Sequence, residues 1–129
     1  MFDKYIVCEE SLRARDGGGV VEVRMPYYRG LTLSMVEAVD LVVDGTPVPV
    51  DRTTFTVHGN TYTFDRLPLV TDDRWEMGER AELGFDTDEP LTPGEHDVAV
   101  AVRLRIAYMP VSGGGRDHKR LTLAVGSER

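Results

Sequence analysis

Apolar side chains recur at every second position from residue 98 to residue 108, as Val98, Val100, Val102, Leu104, Ile106 and Tyr108. Ala99, Ala101, Arg103, Arg105 and Ala107 fill the intervening places. A period of two over eleven residues is a β-strand with one face in a core, and a run of that length belongs in the middle of a sheet. The other face is small and basic. Arg103 and Arg105 could gather an anionic partner, but in a chain of net charge −7 cross-strand ion pairs are the expected outcome.

The rest of the chain reads as shorter strands punctuated by turns. Residues 4–8 form a β-prone run, and residues 9–15 continue as a second up to Asp16-Gly17-Gly18-Gly19, a turn into a strand over residues 20–25. A phosphate-cradling loop would place its amides at a helix N-terminus, whereas a strand follows here. Over residues 31–43, Ser34 and Glu37 have capping-box spacing, while Val39, Leu41 and Val43 alternate. A strand ending at Val43 is expected, with room for one helical turn before it. Asp44-Gly45 is a two-residue hairpin signal, and Pro47 and Pro49 place the return strand at a sheet edge. A second hairpin spans residues 55–64 with Gly59-Asn60 as its loop. Phe55 then faces Phe64 and Val57 faces Tyr62, with all four on one face. Residues 81–85 make another short strand. Residues 111–120, rich in glycine and bases, read as a mobile hairpin loop before a last strand over residues 121–125. Short strands, repeated turn signals and no convincing long helix predict an all-β, antiparallel two-sheet sandwich, with residues 1–129 as one domain.

Composition narrows the function. A chain of 129 residues can bury enough surface to need no staple, and the single cysteine, Cys8, reads as a small buried residue in a reducing compartment. The acidic balance argues against nucleic acid as a partner, and no apolar run approaches a membrane span. With no export signal at residues 1–7, the expectation is a cytoplasmic protein. No Gly-x-Ser-x-Gly elbow or His-Glu-x-x-His pair is present, and His58, His96 and His118 are scattered among turns. His58 has no second ligand at a useful interval and reads as a solvated turn histidine. Asp72, Asp73, Glu76 and Glu79 lack the spacing of a calcium loop and read as a solvated acidic connection.

Two strand ends carry a binding-surface composition. Met25-Pro26-Tyr27-Tyr28-Arg29-Gly30 stops a strand at proline and then presents two tyrosines and an arginine, and Tyr108-Met109-Pro110 ends the long strand in the same manner. Tyr27, Tyr28, Arg29, Tyr108 and Met109 are therefore candidates for a partner interface. Trp75, the only tryptophan, is either a core plug or a further anchor there.

These segments also carry a family resemblance. The opening Met1-Phe2-Asp3-Lys4-Tyr5-Ile6-Val7-Cys8-Glu9-Glu10, the Met25 to Gly30 stretch, Val42-Val43-Asp44-Gly45, Gly59-Asn60-Thr61-Tyr62-Thr63, Trp75-Glu76, Leu91-Thr92-Pro93-Gly94-Glu95-His96 and Tyr108-Met109-Pro110 stand in an order and spacing that resembles the small beta subunit of bacterial C-glycoside deglycosidases. The resemblance implies a β-sandwich subunit that assembles with a larger alpha subunit shaped like a sugar isomerase barrel. That partner would carry the divalent metal, usually manganese, and the catalytic histidine, and would bind most of the 3-oxo-C-glycoside substrate. The metal would act as a Lewis acid in cleaving the carbon–carbon bond between sugar and aromatic aglycone. The resemblance implies no catalytic residue, metal ligand or cofactor in this chain. Two other readings compete with it: a stand-alone carbohydrate-binding sandwich that stacks sugars on Tyr and Trp, and a self-sufficient metal lyase built on His58, His96 or His118.

Overall fold

The computed structural model describes residues 6–15, 17–26, 30–88, 91–105 and 113–123. Eleven strands appear among them: β1 (Arg13–Arg15), β2 (Gly18–Arg24), β3 (Leu31–Thr32), β4 (Val36–Val43), β5 (Thr46–Val48), β6 (Thr53–Val57), β7 (Asn60–Thr63), β8 (Arg74–Trp75), β9 (Arg80–Asp86), β10 (Gly94–Leu104) and β11 (Gly113–Leu123). They form a five-stranded sheet in the order β1-β2-β9-β6-β7, a four-stranded sheet in the order β11-β10-β4-β5, and a two-stranded ribbon, β3-β8. All strand pairs are antiparallel, as predicted. Among the described residues no helix is long and apolar enough to cross a membrane.

The two large sheets close on one apolar cluster. Val21, Val23, Phe55, Leu83 and Phe85 from the first sheet share it with Val39, Leu41, Val98, Val100, Val102 and Leu104 from the second. β10 lies between β11 and β4 and buries every second side chain, which is the placement its alternation predicts. On its outer face Arg103 donates from Nε to Glu37 Oε1 at 2.6 Å, the expected cross-strand ion pair. On the outer face of the five-stranded sheet Glu22 stands opposite Glu82, a repulsive pairing relieved by Arg13, whose two Nη atoms reach Glu22 at 2.9 Å and Glu82 at 3.1 Å. Cys8 is fully buried, and burial pushes its thiol pKa up.

The Asp44-Gly45 turn joins β4 to β5 with both residues at positive φ, 52° and 80°, the conformation a two-residue hairpin of this hand requires. Pro47 lies on β5, an edge strand, and Pro49 ends it before a 3-10 turn over Val50–Arg52. The predicted helical turn is a 3-10 turn over Leu33–Met35, with no side-chain cap from Thr32.

Three expectations are corrected. In the β6-β7 hairpin Val57 pairs with Asn60 and Phe55 with Tyr62, so the loop is His58-Gly59 and not Gly59-Asn60. His58 takes φ 54° and Gly59 φ 78°, and only glycine in the second position makes that turn cheap. The change moves partners by two residues, so Phe55, Val57, Tyr62 and Phe64 still share a face. Second, residues 113–120 of the segment expected to be a mobile loop are the first part of β11, which pairs with β10 from Gly113↔Leu104 to Leu123↔Gly94. A long neighbouring strand offers a ladder that outweighs the low strand propensity of glycine. Third, the strand expected after the opening run is restricted to Arg13–Arg15, while the described residues of that run pair with β2 through the Val7–Val23 bridge and the bonds Cys8 N–H to Glu22 O at 2.9 Å and Arg24 N–H to Ile6 O at 2.7 Å.

Candidate functional site

The two aromatic strand ends depart from the same end of the sandwich. β2 finishes at Arg24, Met25 forms a parallel bridge to Met77, and the chain passes Pro26. At Gly30 an added Cβ would lie 1.8 Å from Glu76 Oε1 and 3.1 Å from Glu76 Cα, so a larger residue would displace the Glu76 side chain and press on its backbone. β3 then runs against β8, with Leu31 opposite Trp75, and the pairing continues as Leu33 N–H donates to Asp73 O at 3.0 Å and Ser34 N–H to Val70 O at 2.9 Å. Just beyond, Met35 O accepts from Arg105 N–H at 2.8 Å. The flank of the first segment thus runs into the ribbon, and that of the second bonds the 3-10 turn that follows β3. Tyr27, Tyr28, Arg29, Tyr108 and Met109 lie outside the described residues.

Trp75 resolves to one of its two readings. It is fully buried, meets Phe55 edge to face at 5.1 Å between ring centres, and donates Nε1–H to Glu79 O at 2.8 Å. It is a core plug and offers a partner no surface. The exposed apolar groups of the same connection are Met77 and Leu69.

Beside the ribbon stands a cluster that sequence spacing did not reveal. His58 Nδ1 lies 2.7 Å from Asp73 Oδ1, and its Nε2 lies 2.6 Å from Glu79 Oε2. Tyr62 Oη donates to Asp73 Oδ2 at 2.8 Å, while Glu79 Oε1 accepts from Glu76 N–H at 2.9 Å. The acids are 15 and 21 residues from His58, so no local interval marks them. His58 is the exposed turn histidine expected, and the structure adds that the acidic connection folds back on it as a clamp. Carboxylates only accept, so both ring nitrogens carry hydrogens and the ring is an imidazolium. It keeps no lone pair for a metal or a substrate proton.

The Asp73 carboxylate first, and Glu79 second, hold the His58 pKa above its ordinary value. Burial pushes Asp73 up, but the hydrogen bonds from His58 and Tyr62 outweigh it and leave that carboxyl below its usual range. The clamp's contribution is complete below the unfolded imidazole pKa of about 6.5 and disappears as pH rises through the higher folded value. On the acid side it is complete above about pH 3.9 and disappears as pH falls through the lowered Asp73 pKa. An NMR titration of His58 is expected to give a midpoint above about 6.5 that Asp73→Asn lowers more than Glu79→Gln does. A midpoint at the ordinary value would refute the clamp.

His96 is the second charged imidazole. It is buried at the opposite end, with Nδ1 2.7 Å from Asp44 Oδ2 and Nε2 2.7 Å from Thr92 O. Burial pushes its pKa down, but the bonds to Thr92 O and Asp44 prevail and the net shift is upward. Asp44 also accepts from Asp97 N–H at 2.8 Å, so His96 ties the β4-β5 turn to the start of β10. His118 is exposed on β11, 3.8 Å from Asp97. The three imidazoles do not converge, and among the described residues no three His, Cys, Asp or Glu side chains are grouped to hold a metal ion.

Residues 2–108 match the protein family described as C-glycoside deglycosidase beta subunit. The chain is 33% identical over 113 residues to the 3'-dehydrocarminate deglycosidase beta subunit of a Microbacterium species, covering 88% of this chain and 85% of that one. It is 32% identical over 126 residues to a C-glycoside deglycosidase beta subunit of Arthrobacter globiformis, covering 95% and 96%. A third relative of that description, from Microbacterium trichothecenolyticum, is 32% identical over 112 residues, covering 87% and 85%.

Proposed function

The chain belongs to the C-glycoside deglycosidase beta subunit family, and from that membership we propose that it serves as the accessory subunit of a hetero-oligomeric carbon–carbon lyase. The complex cleaves the bond between a 3-oxo sugar and an aromatic aglycone. The observation that carries this reading is the family match over residues 2–108, supported by relatives that cover most of the chain. The partner is a larger alpha subunit with an isomerase-like barrel, and the divalent metal, manganese by preference, and most of the substrate contacts belong to it. Clamped from both sides, His58 and His96 do not fit a metal, which favours a chain inactive by itself.

Tyr27, Tyr28, Arg29, Tyr108 and Met109 form the docking surface in this reading. The anchoring of their flanks on the ribbon and on the 3-10 turn after β3, with Met77 exposed beside them, supports that assignment. The rival carbohydrate-binding reading loses Trp75 as a stacking platform, because that ring is buried. Co-expression with the alpha subunit is expected to give a complex that cleaves a 3-oxo-C-glycoside, while the isolated chain with manganese does not. Tyr28→Ala and Arg29→Ala are each expected to weaken association about 10- to 100-fold, as truncated interface anchors do. Wild-type affinity in both variants would remove this segment from the interface, and activity of the lone chain would overturn the reading.

A further inference from the structure

β4 is eight residues long and its outer neighbour β5 only three, pairing with Leu41, Val42 and Val43 alone. Pro49 then turns the chain into the 3-10 turn over Val50–Arg52, held by Arg52 N–H donating to Pro49 O at 2.9 Å. On that side residues 38–40 of β4, beyond the irregularity that skips Glu37 in the pairing with β10, have no strand partner among the described residues. The open length is about 10 Å at the rise of an extended chain, enough for a segment as short as β5 itself. Its polar groups point outward in a definite pattern. Val43 closes the two-residue hairpin against Thr46, and alternate residues of an antiparallel strand aim their N–H and C=O to the same side. Val39 therefore presents its N–H and C=O to the open edge, while its side chain is buried.

A groove of about 470 Å³ runs along this edge, with Val50, Phe64, Asp51 and Asp65 on its far wall. Val50 is 58% exposed, unusual for a large apolar group, and Phe64 is half-buried. Asp40, Asp51 and Asp65 have no ion-pair partner among the described residues, whereas Glu37 on the same strand is neutralised by Arg103. An unpaired ladder, an exposed apolar contact and unneutralised acids occur here together. Natural sheets blunt such an edge unless it receives a strand.

We propose that the edge of β4 at residues 38–40, centred on Val39, is a strand-addition site, which takes an extended, basic segment of the partner subunit as an extra strand continuing the line of β5. The incoming backbone bonds Val39, one apolar side chain covers Val50 and Phe64, and Lys or Arg side chains meet Asp40, Asp51 and Asp65. Charge complementarity selects the occupant: the groove is acidic, so a copy of this acidic chain is a poorer match than a basic segment. The inference rests on the accessory-subunit reading and adds to it a second contact, on the flank of the four-stranded sheet.

Amide hydrogen exchange in the intact chain, free and in complex with the co-expressed alpha subunit, tests this. Val39 is expected to exchange at least tenfold more slowly in the complex, with the amide of Val100 in the central strand serving as the unchanged reference. The variant D40N/D51N/D65N, confined to exposed or groove-lining side chains, is expected to keep the free chain's unfolding midpoint. It should bind the alpha subunit at least tenfold more weakly at low salt, with the difference shrinking as salt rises. Val50→Glu is expected to weaken binding comparably at high salt. A complex that forms with Val39 unprotected, or variants that bind within twofold of wild type, would overturn the strand-addition site and leave the accessory-subunit reading standing. Protection of Val39 in the free chain would assign the edge to another segment of this chain or to a second copy, which also overturns it. Failure of the chain to bind the alpha subunit at all would sink both.

Discussion

Replacing Trp75 by alanine is expected to lower the unfolding free energy by about 3–5 kcal/mol, the usual cost of deleting a buried indole. For a domain of this size that is a fall of about 10–20 °C in Tm. Three contributions are lost together. The ring is fully buried, it packs edge to face on Phe55, and its N–H satisfies Glu79 O. The last matters beyond its own strength, because Glu79 also supplies a carboxylate to the His58 clamp. Trp75→Phe separates the effects: it keeps most of the volume, removes one of the two donors to the Glu79 carbonyl while Met25 N–H remains at 3.2 Å, and is expected to cost about 1 kcal/mol more than a volume-matched swap would. Urea denaturation followed by circular dichroism reads both. In the wild type the same transition is visible in fluorescence, since this is the only tryptophan. A midpoint for Trp75→Ala within error of wild type would show that the ring is not the plug of this end.

The strands that read correctly from sequence are those whose signal is local. Val98 to Leu104 alternate over a span that no helix imitates, and Asp44-Gly45 can close a hairpin because Asp tolerates positive φ and Gly adopts it freely. Pro47 and Pro49 mark an edge because each lacks a donor, and the structure puts both at an edge. The β6-β7 register was ambiguous for a physical reason. His58-Gly59 and Gly59-Asn60 loops place the same four apolar side chains on the same face, so burial does not discriminate between them, and the choice rests on one backbone angle at His58.

The candidate site was less legible. The imidazolium clamp depends on the excursion of the connection after β7, which swings Asp73 and Glu79 back over the hairpin, and nothing in the spacing of residues 58, 73 and 79 encodes that. Trp75 was open between core and surface because an isolated aromatic in an irregular connection has no periodicity to place it. β11 is hard to read for a different reason. Its inward positions include Asp117 and Lys119, which pair with one another at 2.5 Å, and Asp117 also accepts from Val7 N–H at 2.9 Å. Charges on the inward face hide the period of two. They also blunt an edge strand against pairing with other chains.

Gly114 tests that corrected strand directly. It has φ 129° within β11 opposite Arg103, and a Cβ there would lie 1.9 Å from Val102 O and 2.9 Å from Val102 C. Both obstacles are backbone atoms of the central strand, so relief requires parting β11 from β10. Gly114→Ala is therefore expected to cost about 3–5 kcal/mol, from a backbone angle that L-residues avoid added to an overpacked contact. Gly59→Ala provides the control. Gly59 has φ 78° with nothing within 4 Å of the added Cβ, so it carries the angular penalty alone, about 1 kcal/mol. The difference between the two variants measures how firmly the first residues of β11 are zipped to β10. Amide exchange locates the effect: in Gly114→Ala, protection should be lost first between Gly113 and Asp117 and on the facing part of β10, while β2 and β9 keep theirs. Equal costs in the two variants would mean that the glycine-rich start of β11 behaves as the open loop its composition predicts. A larger cost at Gly114 means that β10 imposes its ladder on a stretch with little strand propensity of its own.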